Sequence, residues 1–272
     1  MFKENDNMRP GPTLERVLAV CRLADQGQGS YTVQDMFKLC SLNDEADTKD
    51  EAIRLSINAA IEIGFIEKSD DKKIQLKTDR KYLESSVSFR KAVSSVVFNT
   101  NKKESTFFKL TEWFISHSDN VLKLNKFDEF AVDAATSKDG LPSITNNDVL
   151  VWRFWMRGLG FAYVYNVGIS KTLIPNMKTR LEDAFELGKI QKGTRMTCTQ
   201  FVSWLKDNVP EAASSCNRTR LPLAISNGLR CLDNEKRIKL ISTRDAVRTS
   251  LFPIDGAEFN DFSEIVIRGS EA

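Results

Sequence analysis

The sequence has one histidine in 272 residues, and this scarcity excludes several kinds of catalytic site. A single histidine cannot supply a multi-histidine metal centre, and His117 is the only residue available for a histidine-activated nucleophile. It follows Phe114-Ile115-Ser116, so we expect it at the C-terminal end of an apolar helix, where a cation is favourable. No phosphate-binding loop, dinucleotide-binding or nucleophile-elbow motif occurs. The sequence therefore predicts a protein that is not an enzyme and holds no metal or cofactor.

Cysteine pairs and long apolar runs are also lacking. The five cysteines are never closer than fifteen residues, so they form neither a metal-ligand pair nor a disulfide framework. This spacing predicts a reducing, cytoplasmic location. No run approaches the roughly 18 to 20 apolar residues of a membrane span, and residues 1–10 contain no apolar signal segment. We therefore expect no membrane partner. Hydrophobic residues make up 41% and charged residues 28% of the chain, which is typical of a globular protein.

The formal net charge of +2 hides an uneven distribution of charge along the chain. Residues 171–248 carry 15 Lys and Arg against 8 Asp and Glu, a net charge of +7. Residues 249–272 carry 1 basic and 5 acidic residues, a net charge of −4. A basic block followed by an acidic segment is typical of contact with nucleic acid, and the alternative is a basic face in contact only with solvent.

The first 80 residues show three helical patterns followed by two short strand patterns. Thr13 is placed to cap a helix over 14–25, Thr32 opens a second short helix with a capping box, and Thr48-Lys-Asp-Glu51 opens a third. Gly64 is placed to end the third helix, and the strands 65–68 and 73–76 follow it. Three helices followed by a hairpin is the order of a winged helix-turn-helix.

A similar pattern recurs 164 residues later. Gly64-Phe65 matches Gly228-Leu229, and residues 70–76 match residues 234–240, which predicts a second hairpin at that place. A third copy fits between them, with strands predicted on both sides of the turn Asn166-Val167-Gly168. For the last segment, the pattern at 263–268 predicts one further strand.

These repeats resemble the winged helix-turn-helix superfamily. The fold prediction is mainly α with short β-hairpins, an α+β protein of three tandem winged helix-turn-helix units. The predicted segments are winged helix 1 at 13–78, a linking helix at 79–103, winged helix 2 at 104–174, winged helix 3 at 175–242, and an acidic C-terminal segment at 243–272.

Two apolar stretches also resemble the accessory proteins of Dpd type. They are residues 14–24 (LERVLAVCRLA) and residues 153–162 (RFWMRGLGFA). Such proteins belong to bacterial gene clusters that insert 7-deazaguanine derivatives into DNA and defend against foreign DNA. The resemblance implies a role in a DNA-modification or antiviral defence system.

The third predicted unit is the best candidate for DNA contact, because basic residues lie where a helix-turn-helix meets its target. Arginine pairs with guanine or phosphate, and Asn and Thr side chains donate to phosphate oxygens. The candidate DNA-binding residues are Asn217, Arg218, Thr219, Arg220, Lys236, Arg237 and Lys239, with Lys189, Lys192 and Arg195 as an extension. In the first unit, Glu51 and Glu62 on the outward face of the third helix would repel phosphates. In the second unit, Trp152 and Trp155 belong to the core or to an interface.

The sequence therefore predicts a non-catalytic, DNA-binding accessory protein that binds phosphates through winged helix 3. One alternative is a winged-helix scaffold that joins other protein subunits of a larger complex. Another is a transcription regulator, although no ligand-sensing domain or dimerisation helix is visible.

Overall fold

The computed structural model describes residues 1–3, 8–41, 51–123, 127–136, 141, 144–167 and 170–269. The protein is mainly helical with short antiparallel strands, which confirms the predicted class. The chain forms two compact units, one of Met1–Phe108 with Ser143–Gly158, and one of Lys109–Pro142 with Leu159–Ala272. The boundaries between these units fall inside the predicted segment 104–174, whose third helix lies in the first unit.

The first compact unit begins with the predicted three helices and hairpin. Their bounds are α1 Leu14–Gly27, α2 Val33–Cys40, α3 Glu51–Glu62, β1 Ile66–Lys68 and β2 Ile74–Leu76. Thr13 caps α1, and Thr32 with Asp35 forms the predicted capping box of α2. The capping box predicted at Thr48 lies outside the described residues. Gly64 follows α3 with φ of 76°, a left-handed conformation that glycine adopts without strain.

A third strand segment lies beside this hairpin. Strand β1 pairs antiparallel with β2, and Thr32 forms an antiparallel bridge to Lys73, just before β2. The Ile74 N–H donates to the Tyr31 carbonyl oxygen at 2.7 Å. The segment that precedes α2 therefore lies beside the last strand of the hairpin, and β1 lies on the other side of that strand.

The predicted linking helix at 79–103 is not continuous. A 3-10 turn at Arg80–Leu83 precedes α4, Ser86–Val97, and a second 3-10 turn follows at Thr100–Lys102. Ser85 has an extended backbone, and its side chain accepts a hydrogen bond from the Ser88 N–H, so it starts a new helix. The apolar periodicity of this segment does not reveal such a break.

The helix α7, Asn146–Gly158, completes the first compact unit. Its cap is Thr145, which exchanges hydrogen bonds with the buried Asp148. Asp148 also accepts a hydrogen bond from the Met8 N–H at 2.5 Å, so one carboxylate both caps the helix and holds the N-terminal segment.

The second compact unit contains most of α5, two strand pairs and a three-stranded sheet. Its helices are α5 Thr106–His117, which crosses the boundary, α6 Phe127–Thr136, α8 Lys178–Leu187, α9 Cys198–Asn208 and α10 Leu223–Asn234. Its strands are β3 Ala162–Val167, β4 Ser170–Pro175, β5 Arg195–Thr197, β6 Ile238–Ile241, β7 Thr249–Ser250, β8 Asp261–Phe262 and β9 Glu264–Ile267. Strand β3 pairs with β4, β7 pairs with β8, and β9 lies between β5 and β6. The predicted turn between β3 and β4 includes Gly168, which lies outside the described residues.

The hairpin predicted over 228–240 is wrong. Gly228 lies inside α10, the predicted turn is the end of that helix, and β6 pairs with the distant β9. A Cβ at Gly228 would lie 2.8 Å from the backbone N of Lys178, so this glycine allows α10 to pack closely on the start of α8. Gly64 and Gly228 therefore have different structural roles, although their sequence contexts match.

Candidate nucleic-acid interface

The loop Asn217–Arg220 precedes α10 and is held by its own first residue. Asn217 Oδ1 accepts hydrogen bonds from the N–H of Thr219 at 3.0 Å and of Arg220 at 2.7 Å. It also accepts one from the Thr219 hydroxyl at 2.7 Å. All four residues are exposed. The two polar side chains thus form the turn, and they orient the backbone that carries Arg218 and Arg220.

This basic loop is also attached to β7. The Ser250 N–H donates to the Thr219 carbonyl oxygen at 2.9 Å, and the Leu221 N–H donates to the Ser250 carbonyl oxygen at 2.9 Å. The Thr249 hydroxyl donates to the Arg218 carbonyl oxygen at 3.0 Å. Over the described part of the chain, neither Arg218 nor Arg220 has an ion-pair partner. The loop therefore presents two free guanidinium groups on a fixed backbone.

The helix that follows the loop is covered. Residues 222–226, 228 and 229 are buried, and Asn227 and Arg230 are only half-buried. Asn227 donates to the Pro175 carbonyl oxygen at 2.9 Å, and Arg230 donates to the carbonyl oxygens of Phe252 and Phe259. For most of its length, α10 thus has no exposed side chain that could reach a base edge.

The other predicted DNA-binding residues lie at the opposite end of α10. A helix of 12 residues is about 18 Å long, so Lys236, Arg237 and Lys239 are well separated from the basic loop. Lys236 and Lys239 are exposed, whereas Arg237 donates to Glu182 Oε1 at 3.1 Å and is half-buried. The seven predicted residues therefore form two groups, and Arg237 is already neutralised.

The three-stranded sheet adds further cations to this second group. Val266 of β9 is paired with Arg195 on one side and with Lys239 on the other, so these two basic residues lie in one row on the exposed face. Arg195 forms an ion pair with Glu264 at 3.4 Å. Four exposed cations at this end of the sheet have no ion pair among the described residues, and we term them the sheet-end cluster: Lys192, Lys236, Lys239 and Arg268. The pairing of β9 could not be predicted locally, because 22 residues separate it from β6.

The third helix of the first unit is more exposed than α10. Glu51, Arg54 and Asn58 lie on its surface, and Arg54 forms an ion pair with Glu51 at 3.0 Å. Lys68 and Lys72 are exposed on the hairpin that follows. This surface carries both charge signs. Glu62, the second carboxylate predicted on the outward face, is instead largely covered and lies 3.1 Å from the N-terminal ammonium of Met1.

The two tryptophans of α7 are buried within the chain. Trp152 and Trp155 are 0% exposed, whereas Phe154 between them is 52% exposed. The Trp155 ring lies 5.1 Å from the Phe2 ring, and its indole N–H donates to the Pro12 carbonyl oxygen at 3.0 Å. The N-terminal segment therefore supplies part of this packing, and the ring of Phe107 in α5 lies 6.2 Å from the Trp155 ring.

The described residues also bear on metal binding, on the single histidine and on membrane spans. They contain no group of three or more His, Cys, Asp or Glu side chains that could hold a metal ion. His117 ends α5 as predicted, stacks on Trp113 at 4.4 Å and lies 2.6 Å from Asp133 Oδ2. None of the described helices is both long enough and apolar enough to cross a membrane.

One comparison with known proteins identifies the chain's family. A family model described as DpdG-like matches residues 7–246, which is most of the sequence and includes both stretches that resemble Dpd-type accessory proteins. Neither a curated protein nor a solved structure matches the chain. The chain therefore belongs to the DpdG-like family.

Proposed function

We propose that this protein is a non-catalytic DNA-binding subunit of a bacterial DNA-modification or phage-defence system. Its membership of the DpdG-like family supports the assignment to such a system. The two free arginines of the basic loop support the contact with DNA. Arginine binds phosphate with two parallel hydrogen bonds, and a fixed backbone reduces the conformational entropy lost on binding.

Strand topology supports the winged-helix interpretation of both compact units. In the first, the segment at Thr32 lies before the second helix and beside β2, with β1 on the other side. In the second, β5 lies before the second helix and beside β9, with β6 on the other side. The spatial order of the strands is thus the same in both units, with the last strand of the chain segment in the centre of the sheet. On this interpretation the long connection between β6 and β9 is the wing of the second unit.

The contact with DNA is made by loops rather than by the third helix. Because α10 is covered, Arg218 and Arg220 contact phosphates at its N-terminal end. The sheet-end cluster contacts a second stretch of backbone. Phosphate contacts fix the position of a protein on DNA but carry no sequence information, so we expect weak sequence dependence.

Fluorescence anisotropy with labelled duplex DNA at several salt concentrations tests this proposal. If about four to six phosphates are neutralised, the logarithm of the association constant should fall with the logarithm of salt concentration at a slope of roughly −4 to −5. Unlabelled competitor DNA should displace the probe. Absence of binding at low salt, or a flat dependence on salt, would refute DNA binding.

A scaffold role in a protein complex is the second candidate, and the covered surface of α10 favours it. A winged helix whose third helix is buried has lost its usual DNA-contacting element. Exposed apolar side chains such as Phe154 and Val132, at 52% and 61% exposure, offer contacts to partner subunits. Co-purification from the native cell, repeated after nuclease treatment, separates the two functions. Partners that persist without nucleic acid favour the scaffold.

A further inference from the structure

Two exposed tyrosines share one face of the β3–β4 hairpin in the second compact unit. Tyr163 is 50% exposed and Tyr165 is 58% exposed, whereas Ala162 is buried and Val164 is half-buried. Side chains two residues apart on a strand point to the same face and lie about 7 Å apart. The hairpin thus places two aromatic rings in a row in solvent.

One cation, Lys178, lies near the first of these rings. Tyr163 is paired with Ile174 across the hairpin, and the chain reaches Lys178 four residues after Ile174. Lys178 Nζ lies 2.6 Å from Glu235 Oε2, and Lys236 of the sheet-end cluster is the next residue. Burial opposes the charge of Lys178, but its bond to Glu235 and the neighbouring groups, including Tyr163, raise its pKa. Tyr163 therefore lies near the C-terminal end of α10, where the carboxylates of Glu182 and Glu235 accompany Lys178.

We infer that Tyr163 and Tyr165 form a stacking surface for the bases of single-stranded DNA, with the sheet-end cluster binding the adjoining phosphates. This inference rests on the proposed function and specifies its substrate. Aromatic rings along a basic surface are the combination with which proteins bind unpaired strands, because every base presents a π-face. In a duplex these faces are covered by neighbouring bases. The surface is thus suited to a strand that has been separated or has not yet been paired.

The test uses the full-length protein and two probes of equal length, fluorescein-labelled oligothymidylate and a labelled duplex. The variants are Tyr163→Ala, Tyr165→Ala and the corresponding phenylalanine substitutions, which keep the ring. Tyr82→Ala, in the first compact unit, is the matched control. All three tyrosines are at least partly exposed, so we expect each variant to fold. Circular dichroism melts check this.

Each alanine substitution should weaken oligothymidylate binding at least fivefold, the lower end of the range for loss of one stacked base. The phenylalanine variants and Tyr82→Ala should bind like the wild type, and all variants should bind the duplex unchanged. Tyrosine fluorescence should also be quenched by the oligonucleotide in the wild type and less so in the alanine variants.

Other outcomes would overturn the inference in distinguishable ways. If the alanine variants bind oligothymidylate like the wild type while duplex binding remains salt-sensitive, the stacking surface is refuted and the proposed DNA binding stands. If the wild type binds neither probe, the proposed function itself fails. If the alanine variants keep both DNA affinities but lose a protein from the native complex, the tyrosines belong to a protein interface.

Discussion

Arg230 Nη2 lies 2.7 Å from the carbonyl oxygen of Phe252, and the same nitrogen lies 3.0 Å from that of Phe259. One side chain of α10 thus binds both ends of the segment that connects β7 with β8. The Phe252 N–H also donates to the Ser226 hydroxyl at 2.8 Å, so several hydrogen bonds hold this segment against α10. Arg230 therefore binds the protein's own backbone.

We expect Arg230→Ala to lower the free energy of unfolding by about 1 to 3 kcal/mol. The substitution leaves two carbonyl oxygens without their donor, and hydrogen bonds to a charged group are among the stronger ones. Arg244→Ala is the matched control, because Arg244 is exposed, and a surface substitution of this kind usually changes stability by less than about 0.5 kcal/mol. Urea denaturation of both variants measures the difference. Equal midpoints would show that Arg230 does not hold the segment.

Trp155→Ala should lower stability by about 3 to 5 kcal/mol, because the side chain is fully buried and the cavity would be large. The neighbouring Phe154→Ala should have a much smaller effect, since Phe154 is half exposed. Thermal and urea melts measure the loss of stability, and a pull-down from the native cell measures the binding of partner proteins. A Trp155→Ala protein that melts like the wild type but loses a partner would place this residue in an interface.

The ion pair between Arg180 and Glu211 is buried, with side chains 3% and 0% exposed and a distance of 2.7 Å between Nε and Oε1. Burial raises the pKa of Glu211, and the guanidinium of Arg180 opposes that shift. We expect Arg180→Met to lower the free energy of unfolding by about 3 to 5 kcal/mol at neutral pH, because it leaves a buried carboxylate without a partner.

The same variant should show a defined dependence on pH. With the arginine removed, the pKa of Glu211 in the folded state rises further above the unfolded value of about 4.3. A carboxyl with a raised folded pKa destabilises the fold as pH increases past the unfolded pKa, so the loss should be larger at about pH 7 than at about pH 5. Arg54→Met, which breaks an exposed pair with Glu51, should cost less than about 1 kcal/mol at either pH. Equal losses for the two variants would contradict the buried-pair account.

Local features of this fold were predictable, because their signals lie within a few residues of each other. The Thr32 capping box, the Thr13 cap and the glycine after α3 are examples. The β5–β9–β6 sheet was not predictable, since its pairing joins residues far apart in the sequence and β5 is only three residues long. The exposure of Arg218 and Arg220 could be predicted from their polarity. The burial of α10 could not, because it depends on contacts with a segment that follows β7, including those of Arg230.

The central claim is that the basic loop before α10 contacts DNA, and one pair of double variants tests it most directly. Arg218→Ala with Arg220→Ala removes two exposed charges from the second compact unit, and Lys68→Ala with Lys72→Ala removes two from the first. Anisotropy titration with the same duplex gives the affinities. Each lost contact should cost on the order of 1 kcal/mol, so the arginine variant should bind roughly tenfold or more weakly and show a smaller salt slope. The lysine variant should bind nearly as the wild type does. Equal losses in the two variants, or a greater loss in the lysine variant, would contradict the assignment to the basic loop.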